Sequence, residues 1–206
     1  MALLKIDELS SLNKPLSYEQ YFDGIGLDNE QVDNRIAYAN DMEEIMLWLF
    51  AFIVSVYGTE EFSYEYIRNE LYNKVKKLVN ETVGDDPYYE QYVNNFVDEV
   101  LMATIRNADT PYFVSKNRAV YVAENEAQTV FNYLDYKLAV ASGYTKKTWI
   151  DVRDERERKT HLEVGRKTIP IENYFQVGSC LMRFPKDMEN GTAEETINCR
   201  CGIQYS

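Results

Sequence analysis

The hydrophobic period of this sequence changes once, near Gly143, and that change most constrains the fold. From about residue 29 to residue 142, apolar residues recur every three or four positions, which is typical of amphipathic helices. Residues 147–152 instead alternate between polar and apolar, which is typical of a strand. We therefore predict an α+β protein, with a mainly helical N-terminal half followed by a small C-terminal α+β module whose short strands pack on a long helix.

Glycine and proline divide the helical part of the sequence. The predicted helices cover residues 29–57, about 59–83, 87–107 and most of 111–142. Gly58 ends the first helix, and the run from Gly84 to Pro87 separates the second from the third. Glu60 and Glu61 suit a first helical turn, where carboxylates favour the helix dipole. The last helix has the clearest apolar stripe, made of Val120, Ala123, Ala127, Val130, Leu134, Leu138 and Ala141.

Short strands are predicted after Gly143, separated by glycine and proline. Besides residues 147–152, the candidates are 167–171, 180–184 and 199–205. The apolar residues that we expect to face a core here are Trp149, Phe175, Leu181, Phe184 and Ile197. The predicted division of the chain is a helical region of unassigned role at 1–110 and a separate module at 111–206.

The charge balance argues against a protein that wraps nucleic acid non-specifically. Lys and Arg number 22 against 34 Asp and Glu, so the formal net charge is -12. Non-specific wrapping of nucleic acid needs a cationic surface. A local basic patch remains a candidate for contacting DNA, although interleaved acids also fit a solvated charged face. It consists of Arg153, Arg156, Arg158, Lys159, Arg166 and Lys167.

Residues 45–57 are almost continuously apolar and invite a membrane interpretation. A spanning helix needs about 20 apolar residues, and acidic residues close both ends of this shorter run. We expect a helix covered by protein, and no membrane partner.

The N-terminus lacks the features of a signal peptide, so we expect none. The 17 tyrosines favour protein interfaces and an oligomer.

The cysteines and the single histidine of the chain lie close together in the sequence. Cys199 and Cys201 are too close to pair easily with each other, but both sulfurs can leave one strand face toward a shared partner. With His161, and with Cys180 or Asp187 as fourth ligand, they would form a tetrahedral structural zinc site. The alternatives are small buried cysteines with a hydrogen-bonded histidine, or a thiol enzyme built on a Cys–His pair.

An ordered series in the second half of the chain resembles the C-terminal signature of the phage Mu F-like minor head (head morphogenesis) proteins. The resemblance covers about residues 111–205, and Ile-Asn-Cys-Arg-Cys at 197–201 is its sharpest element. Family members have a basic residue where this chain has Glu124. The residues that carry the resemblance are Trp149, Asp154, Arg158, His161, Phe184, Pro185, Asn198, Cys199, Arg200 and Cys201.

The resemblance implies a non-enzymatic minor capsid protein of a tailed phage or prophage. Such a protein would act near the portal in head assembly and in DNA packaging or ejection. Its partners would be the portal protein, capsid or scaffold proteins and, through the local basic patch, packaged DNA. It would lie in the virion interior after assembly in the host cytoplasm. We expect no catalytic residue and no cofactor other than the candidate zinc. No P-loop, nucleophile elbow or dinucleotide fingerprint is present.

The alternative is a bacterial toxin- or effector-related binding module that reuses the same domain, with or without zinc. In some Mu F-like proteins, ADP-ribosyltransferase or nuclease toxin domains follow the signature. Only residues 202–206 follow it here, so we expect no attached toxin domain.

Overall fold

Helices build the first part of the structure, a computed structural model that describes residues 17–206. The N-terminal residues considered above for a signal peptide lie outside the described part. The helices are α1 (Tyr18–Phe22), α2 (Asn29–Val56), α3 (Tyr64–Val83), α4 (Pro87–Arg106), a single 3-10 turn (Pro111–Val114) and α5 (Lys116–Ala141).

Short strands and short helices follow α5, which confirms the predicted α+β class. They are β1 (Lys146–Ile150), α6 (Lys159–Val164), β2 (Thr168–Pro170), β3 (Phe175–Val177), β4 (Cys180–Met182), α7 (Ala193–Thr196) and β5 (Gly202–Tyr205). Strand β1 is central in an antiparallel sheet of order β2-β1-β5, and β3 pairs with β4 in a separate hairpin. Strand β3 and the two short helices were not predicted.

Local capping decides where the long helices begin. Asp28 and Gln31 form a reciprocal capping box at the start of α2. Helix α3 begins later than predicted, because the Ser63 side chain accepts a hydrogen bond from the backbone N–H of Tyr66. Glu60 therefore lies in a turn before α3 rather than in its first turn.

Helix α5 packs along α2 through the middle of its predicted stripe. Ala119, Ala123 and Ala127 are fully buried, and their small side chains allow the two helices to approach closely. The stripe fails at the C-terminal end of α5, where Leu138 is 54% exposed. In this part of the helix, Tyr133 packs against both hydrophobic cores of the molecule.

The apolar segment 45–57 belongs to α2 and forms much of the helical core. Met46, Leu49 and Ile53 are completely buried, whereas Val54 on the opposite face is 60% exposed. Within residues 17–206, no helix is long and apolar enough to cross a membrane.

A second hydrophobic core lies inside the C-terminal module. Trp149, Phe175 and Phe184 are buried there, as predicted. The prediction was wrong for Leu181 and Ile197, which are 53% and 50% exposed. Burial alternates along β4, so Cys180 and Met182 face inward while Leu181 faces outward, and Ile197 caps the end of α7.

Buried polar contacts join the two cores across α5. The Gln128 side-chain amide donates to the carbonyl oxygen of Cys201 at 2.8 Å, and Asn132 donates to the carbonyl of Pro185 at 2.9 Å. On the helical side, the buried Arg35 guanidinium donates to Gln128 and pairs with Asp135 at 2.6 Å. The part of the C-terminal module that follows α5 is therefore docked on this helix through hydrogen bonds with buried partners.

Candidate metal centre and adjoining cleft

Three of the predicted metal ligands meet in the structure. His161 Nδ1 lies 3.4 Å from Cys201 Sγ and 3.6 Å from Cys199 Sγ. The three ligand atoms lie within 4.8 Å of one another, and all three residues are buried. The structure thus contains a potential metal-binding triad of one nitrogen and two sulfur atoms.

Short elements from distant parts of the sequence place these ligands. His161 lies in α6, where its ring packs edge-on against Trp149 at 5.8 Å between centroids. Cys199 and Cys201 lie in the turn that precedes β5, because this strand begins at Gly202 and not at residue 199 as predicted. Between them, Arg200 forms an ion pair with Asp154.

Two further signature residues hold the same turn in place. Arg158 donates to the carbonyl oxygen of Ile197, which ties the start of α6 to the end of α7. Asn198 takes a positive φ of 58°, and its backbone N–H donates to Asn125 Oδ1 on α5. The signature residues therefore fix the ligand-bearing turn from the α6 side and from the α5 side.

Glu195 completes the surroundings of His161, and it was not predicted as a site residue. Its Oε2 lies 3.1 Å from His161 Nε2 and also accepts a hydrogen bond from Thr160 Oγ1 at 2.9 Å. A metal-ligating histidine usually donates its second ring N–H to a carboxylate in this way. The space for Glu195 depends on Gly178, because a Cβ at that position would collide with the Glu195 carboxylate.

The distances fit a tetrahedral metal ion. Zn–S bonds of about 2.3 Å and Zn–N bonds of about 2.0 Å imply ligand atoms roughly 3.6 Å apart. The observed separations of 3.4 and 3.6 Å agree with this value. The donor set of one imidazole and two thiolates also suits zinc.

The residues predicted as a fourth ligand do not join the triad. The Cys180 sulfur, on the buried face of β4, contacts the Thr192 hydroxyl at 3.5 Å instead. The Asp187 carboxylate is occupied by Arg183 and by Asn190. Sequence spacing could not distinguish these positions, since both depend on how the β3–β4 hairpin folds back.

The contact between Cys199 and His161 shifts the pKa values of both side chains. Burial acts to raise the pKa of the Cys199 thiol, but hydrogen bonds with Cys201 and His161 outweigh it and hold the pKa well below its ordinary value. Burial acts to lower the pKa of His161, but the contact with Cys199 raises it overall. The thiolate is the form that binds metal, so the shift at Cys199 favours its ligating state. The hydrogen bond with Cys199 raises the pKa of Cys201 well above its ordinary value, so in the absence of metal Cys201 and His161 favour their protonated forms.

A cleft of about 700 Å³ lies beside the triad, between α4 and α5 on one side and the turns at 152–158 and 197–201 on the other. His161, Cys199 and Cys201 contribute to its lining. Its other charged lining residues are Glu99, Arg118, Glu124, Glu126, Arg156, Glu157, Arg158 and Arg200. The triad is therefore next to a space that is large enough for a small molecule.

Two carboxyl groups of the cleft have raised pKa values. Burial raises the pKa of Glu124 to about 8, against the attraction of Lys186 and Arg200. Burial likewise raises the pKa of Glu126 to about 7, and this carboxylate accepts a hydrogen bond from Tyr92. Such perturbed groups in a cleft are typical of functional sites.

Three of the six residues of the predicted basic patch bind other groups of the protein. Arg153 and Arg166 both bind the buried carboxylate of Asp151, at 2.9 and 2.8 Å. Arg158 binds the Ile197 carbonyl. Contact of this patch with DNA stays a prediction.

Part of this chain is similar to a known enzyme. It is similar to the NAD(+)--arginine ADP-ribosyltransferase EFV of Enterococcus faecalis, with 31% identity over 91 residues. The similar stretch covers 42% of this chain and 18% of the relative, so this chain spans under a fifth of that protein. No family profile matches the chain, and no solved structure matches it.

This similarity corrects two predictions drawn from the sequence. The assignment as a minor capsid protein of a phage head is contradicted, because the relative is an ADP-ribosyltransferase. The expectation that the chain is not an enzyme is contradicted by the same finding. The portal, capsid and DNA partners and the virion location stay untested predictions.

Proposed function

We propose that this chain is a bacterial toxin- or effector-related module that reuses a Mu F-like domain, and that zinc holds its C-terminal part together. The similarity to the enterococcal ADP-ribosyltransferase supports the toxin-related role. The buried cluster of His161, Cys199 and Cys201 supports the zinc. This chain corresponds to only 18% of that relative. That it takes part in ADP-ribosyl transfer is therefore a proposal.

The role of the zinc follows from the elements that it would connect. His161 lies in α6, and the two cysteines precede β5, about forty residues further along the chain. One metal ion would therefore close a long loop and fix the last strand against the rest of the module. Binding energy at such a site contributes directly to folding.

Metal analysis of the purified protein tests the zinc. Protein prepared without chelator should contain close to one equivalent of zinc, and Cys199→Ser should lose most of it and melt at a lower temperature. Cys180→Ser is the matched control, since Cys180 is also a buried free cysteine but lies outside the triad. Zinc below about a tenth of an equivalent in the parent protein would contradict the proposal.

The residues that line the cleft support a catalytic role in ADP-ribosyl transfer. The reaction breaks the bond between nicotinamide and ribose C1′ and forms a bond from an arginine nitrogen to the same carbon, with a proton released. Glu126 could accept that proton, because a general base works best when its pKa lies near the working pH, and burial places its pKa at about 7. Arg156 and Arg158 line the cleft and could pair with the pyrophosphate of NAD(+).

An activity assay tests the proposed catalytic role. The protein should transfer ADP-ribose from NAD(+) to agmatine, a small guanidine acceptor, and Glu126→Gln should reduce the rate at least tenfold while remaining folded by circular dichroism. Glu163→Gln, a change at an exposed position on α6, should keep the parent rate. If the parent protein transfers no ADP-ribose above a buffer control, the catalytic part is wrong, whereas the zinc measurement stands independently.

A further inference from the structure

The triad supplies fewer ligands than zinc requires. Zinc in proteins is almost always four-coordinate, and sites with three protein ligands keep the fourth position for water or substrate. Among residues 17–206, only His161, Cys199 and Cys201 bring ligand atoms together in this cluster. Cys180 and Asp187 are held elsewhere by Thr192 and Arg183.

The triad lies at the boundary between the C-terminal core and the cleft. The Nε2 side of the His161 ring is closed by Glu195, and Trp149 packs against the ring edge-on. All three ligand residues nevertheless contribute to the lining of the 700 Å³ cleft. A ligand in the cleft would therefore approach a metal ion from this side, past ligand residues that are themselves only 1–2% exposed.

One carboxylate lies at the edge of this position. Glu157 Oε1 is 3.7 Å from Cys201 Sγ, while Glu157 Oε2 accepts a hydrogen bond from the backbone N–H of Arg153 at 2.6 Å. The second contact holds the side chain at the cleft wall. In this position Glu157 is suited to accept a hydrogen bond from a neutral ligand on the metal and to repel an anionic one.

We infer that the metal at His161, Cys199 and Cys201 keeps an exchangeable fourth ligand on the side of the cleft, with Glu157 beside it. Water fills this position in the resting protein, and small anionic or thiolate donors replace it. This inference rests on the proposed metal site and extends it, because the ion that stabilises the module also becomes a binding site for a ligand in the cleft.

Cobalt substitution tests the inference with a spectroscopic signal. Co(II) bound to two thiolates and an imidazole absorbs in the visible range, and the bands change when a ligand on the metal is exchanged. Titration of the cobalt protein with azide, and separately with thioglycolate, should change the spectrum saturably. Cys180→Ser should give the same titration, whereas Cys199→Ser should not bind cobalt in this form.

The Glu157→Gln variant tests whether the Glu157 carboxylate lies beside the fourth ligand position. Removal of the negative charge should tighten azide binding several-fold, because the carboxylate no longer repels the anion. The starting cobalt spectrum should stay the same, since Glu157 is not itself a ligand.

The outcomes separate this inference from the zinc proposal. If cobalt and zinc do not bind at all, the metal site is wrong. If cobalt binds but neither azide nor thioglycolate changes its spectrum, the site is closed and the inference is overturned. It is also overturned if only Glu157→Gln responds to azide, because Glu157 then occupies the fourth position in the parent protein.

Discussion

Single buried groups determine how this protein responds to pH. Glu124 is 6% exposed, and its Oε2 has no hydrogen-bond partner among the described residues. Its pKa is raised from 4.5 to about 8, with burial as the main cause. The unfolded chain releases this proton near pH 4.5, so the native state holds more protons between pH 4.5 and 8. The free energy of unfolding therefore falls as the pH rises through this window.

Glu124→Gln removes this titration. Each unit of pKa shift corresponds to about 1.4 kcal/mol, and relaxation of the structure reduces the measurable effect. Between about pH 5 and pH 8, the variant should lose roughly 2 kcal/mol less stability than the parent, as measured by urea unfolding. Glu163→Gln should follow the parent curve because Glu163 is exposed. Parallel curves for Glu124→Gln and the parent would show that Glu124 ionises normally in the folded protein.

Trp149 is the largest fully buried side chain of the structure and packs against Phe175 and against the candidate ligand His161. Trp149→Ala should reduce the free energy of unfolding by about 3–5 kcal/mol, through lost burial and the cavity that remains. Leu181→Ala, at a position that is 53% exposed, should cost less than about 1 kcal/mol. Equal effects in chemical denaturation would show that the core of the module is not centred on Trp149.

At the scale of elements, α5 is the part that both cores share. Its alanines pack on α2, and its polar residues Gln128 and Asn132 bind backbone carbonyls of the C-terminal module. Gln128 also accepts a hydrogen bond from Arg35 at 3.2 Å. Buried polar groups of this kind must keep their partners, since an unpaired buried group costs more than a hydrogen bond contributes.

Gln128→Leu should therefore destabilise the protein by about 2–3 kcal/mol, because it leaves the Cys201 carbonyl and one Arg35 N–H without their partner. Asn117→Leu on the exposed face of the same helix should change the free energy of unfolding by less than about 0.5 kcal/mol. Thermal and urea unfolding of the two variants measures the difference. If Gln128→Leu is as stable as Asn117→Leu, water replaces the contact and α5 does not depend on it.

At the scale of the whole molecule, the helical core and the C-terminal core differ in what holds them. The helical core buries long apolar side chains from α2, α3 and α4. The C-terminal core is smaller and includes Cys199 and Cys201, which are also candidate metal ligands. We therefore expect metal to stabilise the second core selectively.

Removal of metal with a chelator should loosen only the C-terminal module. Backbone amides in α6 and β5 should exchange with deuterium at least tenfold faster, because the connection between His161 and the cysteine turn is lost, while α3 and α4 should keep their rates. Hydrogen exchange followed by mass spectrometry measures this, with the chelator-treated Cys199→Ser variant as the control that should show no further change. Unchanged exchange in α6 and β5 would show that the module does not need the ion.

The sequence by itself determined the fold class, the long helices and the buried Trp149 and Phe184. Each of these depends on local periodicity and on capping or breaking residues such as Asp28, Gly58 and Pro87, which act within a few positions of the chain. It also identified His161, Cys199 and Cys201, because their residue types restrict the chemistry.

Only the tertiary structure decided which of the candidate ligands meet. Cys180 and Asp187 were equally good candidates by spacing, but in the structure Cys180 contacts Thr192 and Asp187 pairs with Arg183. The same holds for Glu195 beside His161 and for Glu124 and Glu126 in the cleft. Their positions depend on contacts between residues far apart in the chain, and such contacts leave no periodic pattern in the sequence.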